Sequence, residues 1–475
     1  MDLASIKTGL LVVLVLLASC SGRQNIYSPS TGPLRKVLTQ DLDFANPIII
    51  IPGIGGSKFI DSRNGKVVWG AFGYNSYWPA TEQENKLLAL PLNQSAKNIL
   101  LADNNITTQS VLDTVKIEFL PPPFVSIEYS VYLNIFKSLT MAGFVPVDER
   151  DHHLHMPSSK GKPVFQFAYD WRKSNASNAK RLDAYIKAIS KQLTENKGLG
   201  SYPKIDIVCH SMGCLMARYY LRYGDQDLGT LDNPPVLDWR GASKIENLVM
   251  VAPPNKGSIN ALNYLIHGFH ISPFKYFKYP SAVVGTMPSV YELLPRKDIV
   301  NAVNQDGFPV NLFDPKLWLK MQWGLVDPKQ KSVLRQIAPE YHRESYRYKQ
   351  AKALQQELLK KAFLFHSLID APATPPDGLK FWLFAGVGTP TVSKIMINTS
   401  NRTYSKLKND AGDGSVLRES AYAIKNTELP REGSLIHWNN AMFFYLPHIE
   451  LVKSNDFLVN FYYVLFWRKF IPVDR

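Results

Sequence analysis

Five stretches of the chain are apolar almost without interruption and rich in β-branched or aromatic residues: 47–51, 163–168, 204–208, 245–251 and 379–385. A strand wetted on one face alternates apolar and polar, so continuous runs of this length predict strands buried on both faces, as in a parallel sheet. Helical spacing predicts helices over 130–141, 179–196 and 212–223, between some of these strands. Alternation of this kind predicts a doubly wound α/β layer. Two excursions interrupt it, at about 54–162 and 256–376, both rich in aromatics and prolines. Long segments above strand C-termini are where such proteins keep caps and lids. The second excursion ends in an amphipathic helical pattern, with Leu354, Leu358, Ala362 and Phe365 on one face and Lys352, Gln356 and Lys360 towards the other. Core packing is the expected use of that face, and lipid contact the alternative. The apolar segment 457–470 is expected to be a terminal core helix, because Asn460 breaks it and Arg468 and Lys469 close it.

The first residues stand outside this pattern. Lys7 precedes an apolar run at 10–18 that is too short for the roughly 20 residues of a membrane span. It ends in Leu17-Ala18-Ser19-Cys20, which resembles the lipobox of bacterial lipoproteins. The expectation is a signal peptide over 1–19, a lipidated Cys20 and a polar tether over 20–42, with an ordinary secretory signal as the alternative. The domain proper then spans 43–475, exported and anchored to a bacterial envelope membrane on its outer-membrane or periplasmic side. Besides Cys20 there are two cysteines, Cys209 and Cys214, expected as separate buried thiols. The formal net charge is +14, and 316–361 holds eleven Lys and Arg against four Asp and Glu. Solvated surface is the first reading and attraction to anionic lipid the second. Nucleic-acid binding lacks any motif here, and no protein partner is indicated.

Candidate chemistry centres on His210-Ser211-Met212-Gly213, directly after the run 205–209 and directly before the helical pattern. A strand that stops at a serine and turns into a helix holds a hydroxyl proud of the sheet, at a helix N-terminus that favours developing negative charge. A serine hydroxyl needs an imidazole to take its proton and an acid to orient that imidazole. Asp413, between Gly412 and Gly414 in a turn-rich segment, and His448, expected on a loop ahead of a helical pattern, follow in the required order. His437 is the rival base, expected to point into packing. Asp413 could instead be a solvated turn carboxylate or belong to a calcium loop, but the further acidic ligands of such a loop are absent. The oxyanion donors expected are the N–H groups of Met212 and of Ile54, in the glycine-rich Pro52-Gly53-Ile54-Gly55-Gly56. That loop could alternatively bind phosphate, yet the spacing of a dinucleotide fingerprint fails. This chemistry calls for neither a cofactor nor a metal.

Several segments together resemble the lecithin:cholesterol acyltransferase and lysosomal phospholipase family. They are Ile51-Pro52-Gly53-Ile54-Gly55-Gly56-Ser57, Ala168-Tyr169-Asp170-Trp171-Arg172, His210-Ser211-Met212-Gly213-Cys214-Leu215, Val251-Ala252-Pro253-Pro254, Gly386-Val387-Gly388-Thr389-Pro390-Thr391, Gly412-Asp413-Gly414-Ser415-Val416 and the run from His448 to Asn455, in the family's order. The resemblance implies an α/β-hydrolase fold, a mostly parallel central sheet with helices on both faces and two cap insertions. It implies Ser211 as nucleophile, Asp413 as orienting acid, His448 as base, and Ile54 and Met212 as oxyanion donors. Departures are Cys209 in place of glycine, Val251 before Ala252-Pro253 where the family has glycine, and no cysteines to bound a lid near the first strand. Asp170 is expected to pair with Arg172 rather than to serve as triad acid.

The function so implied is acyl transfer from lipid esters, to water or to an alcohol, on a phospholipid or other acyl lipid at a membrane surface. Trp69, Trp78, Trp318 and Trp323 fit a membrane-presented substrate or plain packing. The alternatives are an inactive lipid-binding lipoprotein of the same fold and a carboxylesterase for soluble esters.

Overall fold

The structure is a computed structural model that describes residues 45–73, 75–94, 105–118, 126–150, 153–155, 161–195, 204–271, 274–425 and 433–466. The expected signal peptide, Cys20 and the whole tether lie outside the described residues. Among the described residues no helix is long and apolar enough to cross a membrane.

Seven parallel strands build the central sheet: β1 (Ile48–Ile51), β2 (Phe144–Pro146), β3 (Lys162–Gln166), β4 (Ile205–His210), β5 (Ile245–Val251), β6 (Lys380–Gly386) and β9 (Trp438–Phe444). Their order across the sheet is β9-β6-β5-β4-β1-β3-β2. Every residue of β1, β4 and β5 is buried, as their largely apolar runs lead one to expect, with Asp206, His210, Glu246 and Asn247 buried among them. The five expected strands are present within a residue or two of their expected ends. β2 and β9 went unread, because edge strands such as Phe144-Val145-Pro146 are short and half-wet.

The chain lays down β1, goes to the far edge on one side for β2, returns inward to place β3 beside β1, then crosses back over β1 to place β4 and its successors on the other side. The C-terminal ends of β1 and β4 therefore lie side by side at the point of reversal, where open α/β sheets bind ligands. The register fixes this, with Ile51 opposite Cys209.

Helices α1 (Leu133–Met141), α2 (Asn175–Glu195) and α3 (Gly213–Tyr223) fall where the spacing puts them, and all eleven residues of α3 are buried. Helix α4 (Glu344–Asp370) is longer than its sequence signal, and Leu354, Leu358, Ala362 and Phe365 are all in the core, so core packing is the correct use of that face. The terminal segment forms α6 (Asn455–Phe466), which buries Phe457, Phe461 and Phe466.

The excursions carry structure of their own. The first holds two three-stranded sheets, one of Ser57–Asp61, Val67–Trp69 and Ile106–Val111, the other of Ala71–Phe72, Thr114–Glu118 and Ser126–Ser130. It re-enters the central sheet as β2 before it ends. The second contributes the strand Asn301–Asn304, which pairs with β7 (Gly388–Asn398), and β7 pairs in turn with β8 (Thr403–Asp413). Asp413 thus ends an eleven-residue strand, where the sequence suggested a loop. Trp69, Trp318 and Trp323 are buried packing residues; Trp78 is exposed.

Cys209 and Cys214 correct another expectation. They form a disulfide, with Cα atoms 5.0 Å apart. The intervening turn was expected to keep the two thiols separate. Instead it folds back tightly enough to bring the end of β4 and the first turn of α3 within bridging span.

Candidate active site

The site grows from the end of β4. Ser211 takes φ 51°, a left-handed conformation that a non-glycine residue adopts at a cost, and its N–H donates to the Val251 carbonyl at 2.9 Å. The turn fits because α3 starts against β1: a Cβ on Gly213 would meet the Pro52 carbonyl oxygen at 2.3 Å. Only glycine allows that approach. The missing glycine two residues before Ser211 is replaced by Cys209, which is fully buried.

His448 heads the short helix α5 (His448–Leu451), one residue beyond the loop in which it was expected. Its Nε2 is 2.9 Å from the Ser211 Oγ, and its Nδ1 is 2.8 Å from the Asp413 Oδ2. The other Asp413 oxygen accepts the N–H groups of Ser415 at 2.9 Å and Val416 at 2.7 Å, which fixes the carboxylate plane. Asp413 and Ser211 are buried, and the His448 side chain retains 13% of its exposure. An imidazole whose Nδ1–H meets a carboxylate presents a bare Nε2 to the hydroxyl, the tautomer a general base needs.

Of the two rival residues, His437 departs from its expectation and Asp170 meets it. His437 is exposed instead of packed, and it precedes the first residue of β9. Because β9 runs parallel to β6, His437 sits at the N-terminal edge of the sheet, about 23 Å of strand away from the edge that carries Ser211. Asp170 is engaged by Arg172 through Nε at 2.9 Å and Nη2 at 2.8 Å. Burial alone would raise its pKa, but the charge and hydrogen bonds of Arg172, with Lys173 adding to them, hold it below the usual carboxylate range. Arg172 also donates to the carbonyls of Leu87 and Leu88, so the pair pins the first excursion beside the sheet.

The loop after β1 is held on every side. Tyr169 donates its hydroxyl to the Pro52 carbonyl at 3.0 Å, the Gly53 N–H donates to the Tyr132 hydroxyl at 2.8 Å, and the Trp69 indole donates to the Gly55 carbonyl at 2.6 Å. Among the described residues neither the Ile54 nor the Met212 N–H has a protein acceptor. Beside Ile54 and Gly55 opens a cavity walled by Trp69, Trp171, Phe269 and Met287, apolar throughout. Tyr132 and the His210 side chain went unread in the sequence, and Trp69, read there as a cap or packing residue, also holds the Gly55 carbonyl; no motif links Tyr132 to a turn 78 residues away. Among the described residues no group of three or more His, Cys, Asp or Glu is placed to hold a metal.

A family model described as lecithin:cholesterol acyltransferase matches residues 116–420. The chain belongs to the lecithin:cholesterol acyltransferase family. The matched span takes in Ser211 and Asp413 and stops short of His448. No curated protein matches the chain. Among solved structures, a chain of the Tle4–Tli4 complex aligns at 14% identity and TM-score 0.53, over 88% of this chain and 98% of its own. That likeness shows a shared fold, the α/β-hydrolase fold. Lipase 1 from Pelosinus fermentans aligns at 12% identity and TM-score 0.34, over 90% and 100% of the two chains. Lipase BlEst2 from Bacillus licheniformis aligns at 10% identity and TM-score 0.31, over 89% and 93%. Membership of the acyltransferase family supports a hydrolase of lipid esters.

Proposed function

We propose that this member of the family is a serine-dependent acyl-ester hydrolase or acyltransferase that works on membrane lipid through an acyl-enzyme. The observation that carries the reading is the pair of hydrogen bonds joining Ser211, His448 and Asp413. The Ser211 Oγ attacks the ester carbonyl while His448 Nε2 takes its proton, and Asp413 steadies the imidazolium. The carbonyl oxygen becomes an oxyanion facing the N–H groups of Ile54 and Met212. As the intermediate collapses, His448 returns the proton to the departing alcohol and the acyl group remains on Ser211. Water or a second alcohol, deprotonated by the same imidazole, then releases it as acid or as new ester. The cavity beside Ile54 is apolar but holds only about 30 Å³, room for a small apolar group next to the ester, so the choice of a lipid over small soluble esters rests on membership of the family.

The proposal extends to the first residues. Residues 1–19 serve as an export signal, Cys20 carries lipid, and 20–42 tether the domain to a bacterial envelope membrane, where a phospholipid is the substrate at hand.

Two measurements test this together. A fluorophosphonate should label the wild type and not Ser211→Ala; folded but unlabelled wild type would make the chain a lipid-binding protein instead. Lipid mass spectrometry of mixed phospholipid vesicles, with and without a sterol, should show lysolipid appearing with fatty acid or with a new ester. Turnover confined to short soluble esters would reject the lipid substrate.

A further inference from the structure

Directly behind the elbow lies a polar contact that the triad chemistry leaves unused. Tyr132 caps α1 and is buried, and its hydroxyl is 2.8 Å from the Nδ1 of His210, itself buried. The same hydroxyl oxygen accepts the Gly53 N–H, so its own proton goes to Nδ1. Burial lowers the pKa of His210 well below the ordinary range, with the positive charge His448 can acquire adding to the effect, so the ring is neutral. A neutral ring that accepts at Nδ1 carries its hydrogen on Nε2. That nitrogen is buried without a hydrogen-bond partner. The ring lies edge-on to Tyr132 at 5.6 Å and faces the ring of His448 at 5.1 Å, tilted by 45°. Gly53 is wedged into the same corner: a Cβ there would meet the Ser211 Cβ at 2.9 Å and the His210 Nδ1 at 3.3 Å.

The consequence is geometric. The loop that offers the Ile54 N–H and the turn that offers Ser211 belong to different strands, β1 and β4. Beyond the pairing of β1 with β4 itself, they are joined across the sheet top by a side-chain relay, Gly53 N–H to Tyr132 to His210. His210 is covalently next to the nucleophile and packs on the ring of the base. A small shift of that loop relative to the Ser211 Oγ would displace the oxyanion donor while leaving the substrate's remote contacts intact.

We propose that Tyr132 and His210 form a positioning pair that sets the oxyanion loop and the His448 ring relative to Ser211. This rests on the reading of Ser211 as nucleophile. Such a pair acts on the transition state and little on ground-state binding, so its loss should fall on kcat. Removing one oxyanion donor outright costs about 10²–10³ in kcat, so misplacing one by loosening its loop should cost roughly 10- to 100-fold.

The test uses the full-length protein and a short-chain ester, with melting followed in parallel. Tyr132→Phe should lower kcat by roughly 10- to 100-fold with KM changed less than about threefold. Tyr223→Phe removes an equally buried hydroxyl, bonded to the Leu368 carbonyl at 2.9 Å, remote from the site. It should melt lower by a similar amount and keep its kcat. His210→Ala should fall as Tyr132→Phe does, and His210→Asn, which offers an acceptor near the Nδ1 position, should recover part of the loss. The double variant Tyr132→Phe/His210→Ala should be no more than about threefold slower than the worse single, as expected of residues acting as a unit. Should Tyr132→Phe lose its cooperative melt, the His210 pair of variants carries the test. The proposal is overturned by a Tyr132→Phe kcat within twofold of wild type, by losses that multiply in the double variant, or by His210→Asn no better than His210→Ala. Wild type that resists the fluorophosphonate overturns the serine reading and this pair with it; labelled, active wild type beside an unimpaired Tyr132→Phe overturns the pair alone.

Discussion

The two edges of the central sheet use buried polar groups in opposite ways, and strand β4 carries both. At its C-terminal edge the chain turns at Ser211 beneath His448 and Asp413, a set that aims the Nε2 of one imidazole at one hydroxyl. At its N-terminal edge Asp206 is sealed in by Asn46 at 2.9 Å and Asn247 at 2.8 Å, with Asn46 also reaching Glu246 at 2.8 Å and Lys380 pairing with Glu246 at 3.2 Å. The Asp206 carboxyl is pushed up to about 6, mainly by burial, with the nearby charge of Glu246 adding to it against the hydrogen bonds of both asparagines. One edge spends its polar groups on chemistry and the other on joining strands. Perturbed acidity alone would have pointed to the wrong edge.

The largest effect that should separate the edges is loss of the relay. Ser211→Ala and His448→Ala should each reduce turnover by roughly 10⁴- to 10⁶-fold, with little added loss when combined and no fall in melting temperature. His437→Ala should leave turnover as it was; an inactive His437→Ala beside an active His448→Ala would move the base to the other edge. Next comes Asp206→Ala, which strands the donors of Asn46 and Asn247 in the interior. It should cost about 2–4 kcal/mol in denaturant unfolding and leave kcat of the folded enzyme within twofold. Loss of activity without loss of stability there would erase the distinction between the edges.

The smallest effect is a slope. The Asp206 carboxyl titrates near 6 when folded and near the ordinary aspartate value of 3.8 when unfolded, so between those values the unfolded chain has already released the proton that the folded chain still holds. Stability from this group is complete below about pH 4, falls as pH rises, by at most about 1.4 kcal/mol per unit, and is level above about pH 6. Asp206→Asn should flatten that part of the curve, read as the difference between variant and wild-type unfolding across pH 4 to 7. An unchanged slope would mean that the carboxyl is not buried as described.

Much of the C-terminal edge was legible in the chain because each of its parts announces itself locally. Ile-Asp-Ile-Val followed by a serine and a helical pattern marks the elbow; glycines flank Asp413; a proline precedes His448. The opposite edge was not legible. Asp206 looks like one polar residue in an apolar run, and only strand pairing reveals that Asn46 and Asn247 meet it. Likewise nothing near Tyr132 signals His210, and Cys209 and Cys214 read as separate thiols until the turn between them is known to be tight. The small sheets of the first excursion depend on pairings such as Ser57 with Val111, contacts that a periodicity of neighbouring residues does not encode.

The strand Asn301–Asn304 belongs to the second excursion, yet it is hydrogen-bonded to the hairpin whose far end supplies Asp413. Anyone hoping to exchange that excursion for one from another family member, to alter which lipid is admitted, would therefore also be removing an edge from the ladder that carries the orienting acid. A chimera designed at 256–376 alone should emerge crippled in turnover as well as altered in selectivity. An exchange that spares the acid has to keep 301–304 in place against β7.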